Sequence, residues 1–289
     1  MQPMTTALFS QLVLAKPYFD REGLIVALDG DRVVGFVQGG FGPTEDGMGL
    51  STDLGVTCML MVRPEYRRLR IGSKLLERSE AYLRGRGAKV LYAGGIRPLN
   101  PFYLGLYGGS ELPGVLSSDT EAQKLYRSTD YEEIDTAIIL HRDLRTFRPL
   151  VSRQQLMNRR RTRFEVIVEP PSDNWWDACT MGGFDRDRYE LRDRATGERL
   201  ASSTVWSMEP LSTSWGVRAV GLIDFEVTES YRRNGLATYL LSEAFRRLQH
   251  EGVQVVEAQT MQHNAAALRL YAKLGFHEVD RGTVFRKAT

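Results

Sequence analysis

The chain is poor in cysteine and histidine and almost balanced in charge, and each shortage excludes a class of protein. Its two cysteines, Cys58 and Cys179, and its four histidines lack the spacing of a metal site, so we expect no metal. The cysteines fit two buried thiols in a reducing compartment, and a disulfide stays open without support. Lys and Arg number 38 against 36 Asp and Glu, which is too small an excess for a protein that coats nucleic acid or anionic lipid.

Long apolar runs are also absent. No segment approaches the ~18 apolar residues of a membrane span, and the first residues lack the cationic start, apolar core and cleavage site of a signal peptide. We therefore expect a cytoplasmic protein with neither a membrane nor a nucleic-acid partner. A hydrophobic fraction of 42% is typical of a globular chain, and 289 residues favour two domains.

An internal repeat of low similarity divides the chain. Residues 59–76 and 224–241 each predict a short strand, a polar turn with Tyr-Arg-Arg and an amphipathic helix. Residues 119–126 and 264–271 form a second pair, in which a tyrosine follows an acid or an amide by seven positions. The offset is 165 residues for the first pair and 145 for the second, so the first half contains extra residues. Their aromatic segment 100–109 predicts either a packed loop over the sheet or a substrate wall or interdomain contact.

Each half predicts the same series of elements. Hairpins at residues 24–41 and 188–206 precede the repeated strand, helix, strand, helix and strand, which favours a mixed sheet with helices on its faces. We expect domains at residues 1–145 and 164–289, joined by a charged linker at residues 146–163.

Two carboxylates interrupt an apolar strand at residues 222–228. Strand alternation predicts that Asp224 and Glu226 share one face. The other face would then hold Ile223 and Phe225 together. Carboxylates buried in a strand need a partner or a purpose. Ion pairs with arginines would satisfy them, whereas the functional interpretation is a general base beside a substrate amine, and the residues alone leave both open.

The turn after this strand, at residues 232–238, combines small residues with the start of a helix. Gly235 and Ala237 would let a ligand approach the main chain where a larger residue blocks it. The free N–H groups and the positive dipole end of the helix suit a phosphate. Taken alone, a plain strand-to-helix turn explains this segment as well.

The next helix has clear signals at both ends. Asn264 predicts its N-cap, and Gly275 followed by Phe276 predicts its end. Tyr271 lies two turns after Asn264 on the same helix face. It is either a core residue or a proton donor at the end of a cleft between two strands.

Together these segments resemble the GCN5-related N-acetyltransferase (GNAT) superfamily. The resemblance is strong over residues 220–280, and the whole chain is similar to tandem GNAT proteins. It implies an α/β (α+β) fold of two GNAT-like domains, each a mixed, mostly antiparallel twisted sheet with helices on both faces and a splayed pair of parallel strands. The residues that carry it are the segment from Val227 through Arg232 and Gly235 to Ala237, then Asn264, Tyr271, Gly275 and Phe276.

The resemblance also implies a division of roles in the second half. Acetyl-CoA, as co-substrate, would lie between the splayed strands, with Asn264 at its pantetheine arm and the Val227 N–H at the thioester carbonyl. Glu226 or Asp224 would be the base for the amine, and Tyr271 the acid for the departing thiolate. Main-chain amides would hold the pyrophosphate, at Arg232, Arg233, Asn234, Gly235, Leu236, Ala237 and Thr238.

The first half departs from the family pattern. Arg70 stands where the family has glycine, Asp119 replaces the asparagine, and no Gly-Phe pair follows Tyr126. Asp119 would repel an anionic cofactor, whereas Arg70 would either crowd the pyrophosphate or reach a phosphate. We expect a catalytically silent half that serves as a scaffold or retains CoA weakly.

The resulting expectation is a bacterial, cytoplasmic N-acetyltransferase, monomeric or homodimeric, whose second half acetylates a small-molecule or peptide amine by direct attack. The alternative from another class is a non-catalytic acyl-CoA-binding or sensing module. The basic run Arg159–Arg163 raises RNA binding as a third hypothesis, but a solvated linker or the entry to a strand is favoured, since no aromatic residues accompany the run. The acceptor and the acyl chain length stay open.

Overall fold

The computed structural model describes residues 5–99, 101–104, 109–208 and 212–288. Within them, seven α-helices form: α1 Thr6–Phe9, α2 Ile71–Gly85, α3 Thr120–Arg127, α4 Arg153–Arg161, α5 Trp175–Met181, α6 Leu236–His250 and α7 Ala265–Lys273. The strands are β1 Leu24–Asp29, β2 Arg32–Pro43, β3 Leu50–Val62, β4 Val90–Ala93, β5 Val115–Leu116, β6 Glu132–Asp143, β7 Thr162–Val168, β8 Arg186–Asp193, β9 Arg199–Ser207, β10 Ala219–Val227, β11 Val255–Met261 and β12 His277–Ala288.

The described strands form one 12-stranded sheet. Its order is β1-β2-β3-β4-β12-β6-β11-β10-β9-β8-β7, with β5 paired to β12. Two neighbouring pairs are parallel, β3 with β4 and β10 with β11, and the others are antiparallel. The expected mixed, mostly antiparallel sheet is therefore confirmed, and the sheets of the two halves are continuous.

The last strand of each half lies beside strands of the other half. β12, from the end of the chain, pairs with β4 and with β6 of the first half. β6 in turn pairs with β11 of the second half. Each half therefore supplies a strand to the sheet of the other, and the division at residues 145 and 164 stays a prediction drawn from the repeat.

Local sequence signals account for the elements of each half. β1 and β2 form the predicted hairpin, with Gly30 in the left-handed conformation that its tight turn requires. β8 and β9 form the second hairpin. A helix follows each Tyr-Arg-Arg turn, as the repeat predicts. In α6 the predicted apolar stripe is buried: Leu240, Leu241, Ala244, Phe245 and Leu248.

Helices cover both faces of the sheet, as expected. On one face α6 packs in a cluster that includes Leu222 of β10. On the other face α1 and α5 contribute to a cluster that includes Ile223, the next residue of β10. Burial of each large apolar side chain contributes about 1.5–3 kcal/mol to stability. β10 thus contributes neighbouring residues to the clusters on both faces of the sheet.

The predicted linker at residues 146–163 is partly helical. α4 begins after Ser152, whose hydroxyl accepts a hydrogen bond from the Gln155 N–H at 3.2 Å. At the other end of α4, Arg161 pairs with Asp193 at 2.9 Å and lies over the ring of Tyr231. The basic run therefore leads directly into β7, and its last turn packs against the second half.

The next features are the state of the cysteines, the potential metal ligands and the length of the apolar helices. Cys58 is buried and free, whereas Cys179 is free but partly exposed, so the expectation of two buried thiols holds only for Cys58. In the part of the chain that the structure describes, no group of His, Cys, Asp and Glu is arranged to hold a metal ion. Within those same residues, no helix has the length and apolarity to cross a membrane.

Candidate active site

A gap opens in the sheet where two parallel strands of the second half diverge. β10 and β11 pair from Ala219 with Val255 up to Leu222 with Ala258. Beyond Leu222, β10 pairs only with β9, and the end of β11 pairs only with β6. The splayed pair is confirmed in the second half, whereas in the first half β4 ends at Ala93, the residue that pairs with Thr57 of β3.

The side chains of β10 do not alternate as the sequence predicts. The register against β9 shifts between Ile223 and Glu226, and Asp224 has a φ of +49°, which is the geometry of a β-bulge. Ile223 consequently packs in one cluster, while Phe225 and Val227 pack against the other. The shared face predicted for Ile223 and Phe225 is therefore wrong, because an extra residue interrupts the two-residue period.

Both carboxylates of β10 are paired with arginines. Asp224 forms an ion pair with Arg97 of the first half. Glu226 accepts hydrogen bonds from Arg199 at 3.1 Å and from the Ser202 hydroxyl at 3.2 Å. The premise that they are buried is wrong, since their side chains are 38% and 61% exposed. The ion pairs are those of the structural alternative, and the role of general base stays a prediction.

The turn before α6 presents main-chain donors without a cap. Arg233 and Gly235 have left-handed φ values of +64° and +70°. No side chain caps α6, nor its counterpart α2, whereas a side-chain oxygen caps each of the other α-helices that the structure describes. The first N–H group with a carbonyl four residues back is that of Tyr239, which donates to Gly235 at 3.1 Å. The N–H groups of Leu236, Ala237 and Thr238 come before it and have no such partner in the helix. They are therefore available to an anion.

The helix of the predicted linker supports this turn. The side-chain amides of Gln154 and Asn158 each donate to the Asn234 carbonyl at 3.0 Å. Gln155 donates to the Gly235 carbonyl at 3.4 Å. A Cβ at Gly235 would lie 2.9 Å from Cγ of Gln154. Side chains of α4 thus occupy the space beside this glycine, where the sequence predicted the approach of a ligand. A ligand would approach the turn from the side of its free N–H groups.

The cap, the end and the tyrosine of α7 lie as predicted. Asn264 Oδ1 accepts a hydrogen bond from the Ala267 N–H at 3.1 Å. Gly275 has a φ of +80°, and the Phe276 N–H donates to the Tyr271 carbonyl at 3.0 Å. Tyr271 is 5% exposed, and its ring centroid lies 5.0 Å from that of Phe276. Burial, with a smaller effect of the Glu111 charge, raises the pKa of Tyr271 well above its usual value, so its hydroxyl stays protonated.

A cavity of about 680 Å³ lies between the two halves, beside the bulge of β10. The first half contributes Arg97, Ser110 and Glu111 to its lining, and the second half contributes Ile223 and Asp224. Arg97 bridges two acids, because it pairs with Glu111 at 3.1 Å and also with Asp224. A substrate in this cavity would therefore contact residues of both halves.

The family of the chain follows from its match to known proteins. The model of the acetyltransferase (GNAT) family matches residues 5–108 and, a second time, residues 174–276. These matches cover more than half of the sequence. The chain belongs to the GNAT family. No curated protein matches it.

Solved GNAT structures share the fold. A GCN5-related glucosamine N-acetyltransferase region of a fungal multi-domain GH3 β-N-acetylglucosaminidase has a TM-score of 0.67 and 18% identity, over 91% of this chain and 32% of that one. A tandem GNAT protein from the clavulanic acid biosynthesis pathway has a TM-score of 0.63 and 16% identity, over 91% and 81%. A GCN5-related N-acetyltransferase from Sphaerobacter thermophilus has a TM-score of 0.60 and 17% identity, over 92% of this chain and 79% of that one. This chain spans about a third of the first protein, and the tandem GNAT arrangement is confirmed.

The first GNAT half has the turn but a much smaller cavity, of about 30 Å³, whose lining includes Cys58, Asp119 and Tyr126. Arg70 has a φ of +60° at the start of α2, which is the conformation of Gly235 before α6. On the face of β3 that holds Cys58, however, the sheet is covered by Phe102 and Tyr103 of the extra segment. Of that segment, residues 100 and 105–108 lie outside the described residues. The described part packs in a cluster that also contains Trp206 and Ile223 of the second half, so it forms an interdomain contact, and Leu104 lines the cavity between the halves.

Sequence reasoning missed Glu111, which is the acid that lies beside the candidate site but comes from the first half. Burial raises the pKa of Glu111, against the opposing effect of Arg97, and the charges of Asp224 and Glu257 raise it further. The signal in the sequence is weak, since Glu111 is one acid in a segment rich in glycine and proline. Contacts far apart in the sequence hold that segment against the second half, since Gln259 of β11 donates to the Glu111 carbonyl at 2.8 Å and the Ser110 N–H donates to the Glu257 carboxylate at 2.6 Å.

Proposed function

We propose that the second half transfers an acetyl group from acetyl-CoA to a primary amine by direct attack of the amine. The observation that carries this proposal is the presence of two features at the gap between β10 and β11, namely free main-chain donors and an open cavity. On one side the uncapped turn of α6 offers main-chain donors, and beside the bulge of β10 an open cavity reaches Asp224. At the corresponding place in the first half a cavity of only about 30 Å³ is found, beside the rings of Phe102 and Tyr103, and we propose that this half is catalytically silent.

The binding of acetyl-CoA is proposed to rest on three parts of the second half. The amides from Arg233 to Thr238 would hold its pyrophosphate, because a free helix N-terminus attracts phosphate. The amide of Arg232, which the sequence adds to this set, already donates to the Glu229 carbonyl at 3.2 Å. Asn264 caps α7 with Oδ1, which leaves its side-chain N–H groups for the pantetheine arm. Acetyl-CoA supplies the acyl group and the thiol leaving group.

The main chain of β10 is suited to stabilise charge on the thioester oxygen. The Thr228 N–H donates to the Leu200 carbonyl on the β9 side. Because successive N–H groups of an extended strand point in opposite directions, the Val227 N–H points toward the gap. It would donate to the carbonyl oxygen as negative charge develops there.

Proton transfer is proposed to involve one acid and one base. An amine is protonated near neutral pH and must lose a proton before it attacks. Of the two predicted bases, Asp224 is favoured over Glu226, because Asp224 lines the cavity beside Glu111 whereas Glu226 lies outside it. Tyr271 stays protonated and would donate its proton to the departing thiolate.

Release of free thiol from acetyl-CoA across a panel of primary amines tests the proposed function. We expect amine-dependent release that saturates with both substrates. If acetyl-CoA binds in calorimetry but no amine releases thiol, the non-catalytic acyl-CoA-binding or sensing module is the better description.

A further inference from the structure

We propose that the acceptor carries a second cationic group besides the amine that is acetylated, and that the cavity between the halves binds both. The inference rests on the proposed function for the identity of the reacting amine. Its own observation is the charge and the shape of the cavity.

Carboxylates from four separate segments of the chain line the cavity. Of the described residues that line this cavity, Arg97 alone is basic. The segments come from both halves, so the acids are brought together by the fold and not by their sequence positions. They are Glu45, Asp53, Glu111, Asp173, Asp177 and Asp224.

The basic partners do not neutralise these acids. Outside the lining, Lys89 pairs with Asp53, Arg188 with Asp173 and Arg186 with Asp177. With Arg97 this makes four bases for six acids, which leaves an excess of two negative charges. Glu45 forms no ion pair within the described residues.

The described lining of the cavity offers no free cation to an anionic acceptor. The guanidinium of Arg97 uses one terminal nitrogen for Glu111 and the other for Asp224. A substrate carboxylate or phosphate would have to displace one of these acids. A cationic acceptor, in contrast, would offset the excess charge in a partly desolvated site, where charge interactions are stronger than in bulk water.

A buried hydroxyl gives an independent indication of a ligand. Ser110 lines the cavity and is 1% exposed, and its Oγ has no hydrogen-bond partner among the residues that the structure describes. An unsatisfied buried polar group costs about 1–3 kcal/mol. An ammonium or amine N–H of the acceptor would satisfy this oxygen.

The acids lie at two depths, which suits two cationic groups. At the inner end Glu111 and Asp224 have side chains 21% and 38% exposed. At the rim Asp53 is 58% exposed and Glu45 is also exposed. The reacting nitrogen would lie near Asp224 and the second ammonium near Glu45. A volume of about 680 Å³ falls in the usual range for small-molecule sites.

Calorimetry with spermidine and with butylamine tests this inference on the full chain. We expect spermidine to bind at least tenfold more tightly than butylamine, with one site per chain. Kanamycin, which presents several ammonium groups on an amino-sugar framework, shows whether the second charge must be on a linear chain, and tight binding of either compound supports the inference.

A variant that reverses one charge at the rim of the cavity tests the inference by mutation. Glu45→Lys should weaken spermidine at least fivefold and leave butylamine unchanged. Glu77→Lys is the control, because Glu77 is exposed on α2 and does not line the cavity. Equal affinity for the amines, no binding of spermidine and kanamycin, or an unaltered Glu45→Lys variant would overturn the inference.

Thiol release in the same samples separates the two proposals. Spermidine that binds at the Glu45 site without thiol release contradicts the transferase but retains the cationic site. Equal kcat/KM for butylamine and spermidine retains the transferase and contradicts the cationic site.

Discussion

Tyr271 is held in a state suited to proton donation. Its ring packs on Phe276 in the core, and its hydroxyl forms no hydrogen bond within the described residues. Burial and the nearby Glu111 raise its pKa, so it is protonated before each turnover. The carboxylates of β10 are less free, because each is tied to an arginine. At the scale of single residues the acid is therefore better defined than the base.

Removal of the Tyr271 hydroxyl should affect turnover and not binding. Tyr271→Phe keeps the ring and its packing, so we expect kcat to fall about tenfold or more while the Kd of acetyl-CoA changes little. Thiol release and calorimetry measure the two quantities. The control is Tyr126→Phe, the equivalent position in the first half, which should leave kcat unaltered. An unaltered kcat in Tyr271→Phe would rule out its role as the acid.

At the scale of elements, α4 and α6 act together. The amides of Gln154 and Asn158 bind the Asn234 carbonyl, which fixes the turn from the side opposite its N–H groups. The segment predicted as a linker is thus a support for the candidate phosphate site. Gly235 matters both for its positive φ and for the space that Gln154 occupies.

Substitution of Gly235 by arginine should abolish the binding of acetyl-CoA. An arginine backbone tolerates the conformation, as Arg70 shows, but in the second half the side chain has to displace Gln154 and with it the support of the turn. In calorimetry we expect one acetyl-CoA per wild-type chain and none for Gly235→Arg. Gly235→Ala is the control, with the backbone strain but a short side chain, and its affinity should fall by less than tenfold. Two equal sites in the wild type would show instead that the first half is not silent.

At the scale of the whole molecule, the two halves are not separable units. Phe285 of β12 belongs to the second half in sequence, yet it is 0% exposed in a core cluster with Tyr126 of the first half, at a ring distance of 5.7 Å. β6 provides the reciprocal contact beside β11. Unfolding of either half would expose the strand that the other supplies.

The chain should therefore unfold in one cooperative transition. Phe285→Ala should cost about 3–5 kcal/mol and lower the Tm of that single transition, since both halves share the strand. Differential scanning calorimetry of the wild type and the variant measures this. Two transitions, of which the variant shifts only one, would mean that the halves are stable independently.

The sequence predicts those features that depend on neighbouring residues. The cap at Asn264, the helix end at Gly275 and the apolar stripe of α6 are all confirmed, because local rules decide them. Asp224 is different, since the bulge depends on the register with β9, and the two-residue period gives no sign of it. Glu111 and the exchange of β6 and β12 depend on pairing across more than a hundred residues, which no local pattern contains.

The reciprocal exchange of β6 and β12 also limits how such a protein can evolve. A duplicated gene usually allows one copy to be lost once it has no task of its own. Here a deletion of the first half would remove β6, one of the two neighbours of β11, and a deletion of the second would remove β12, one of the two neighbours of β4. The first half can thus lose ligand-binding residues freely, but it cannot be discarded.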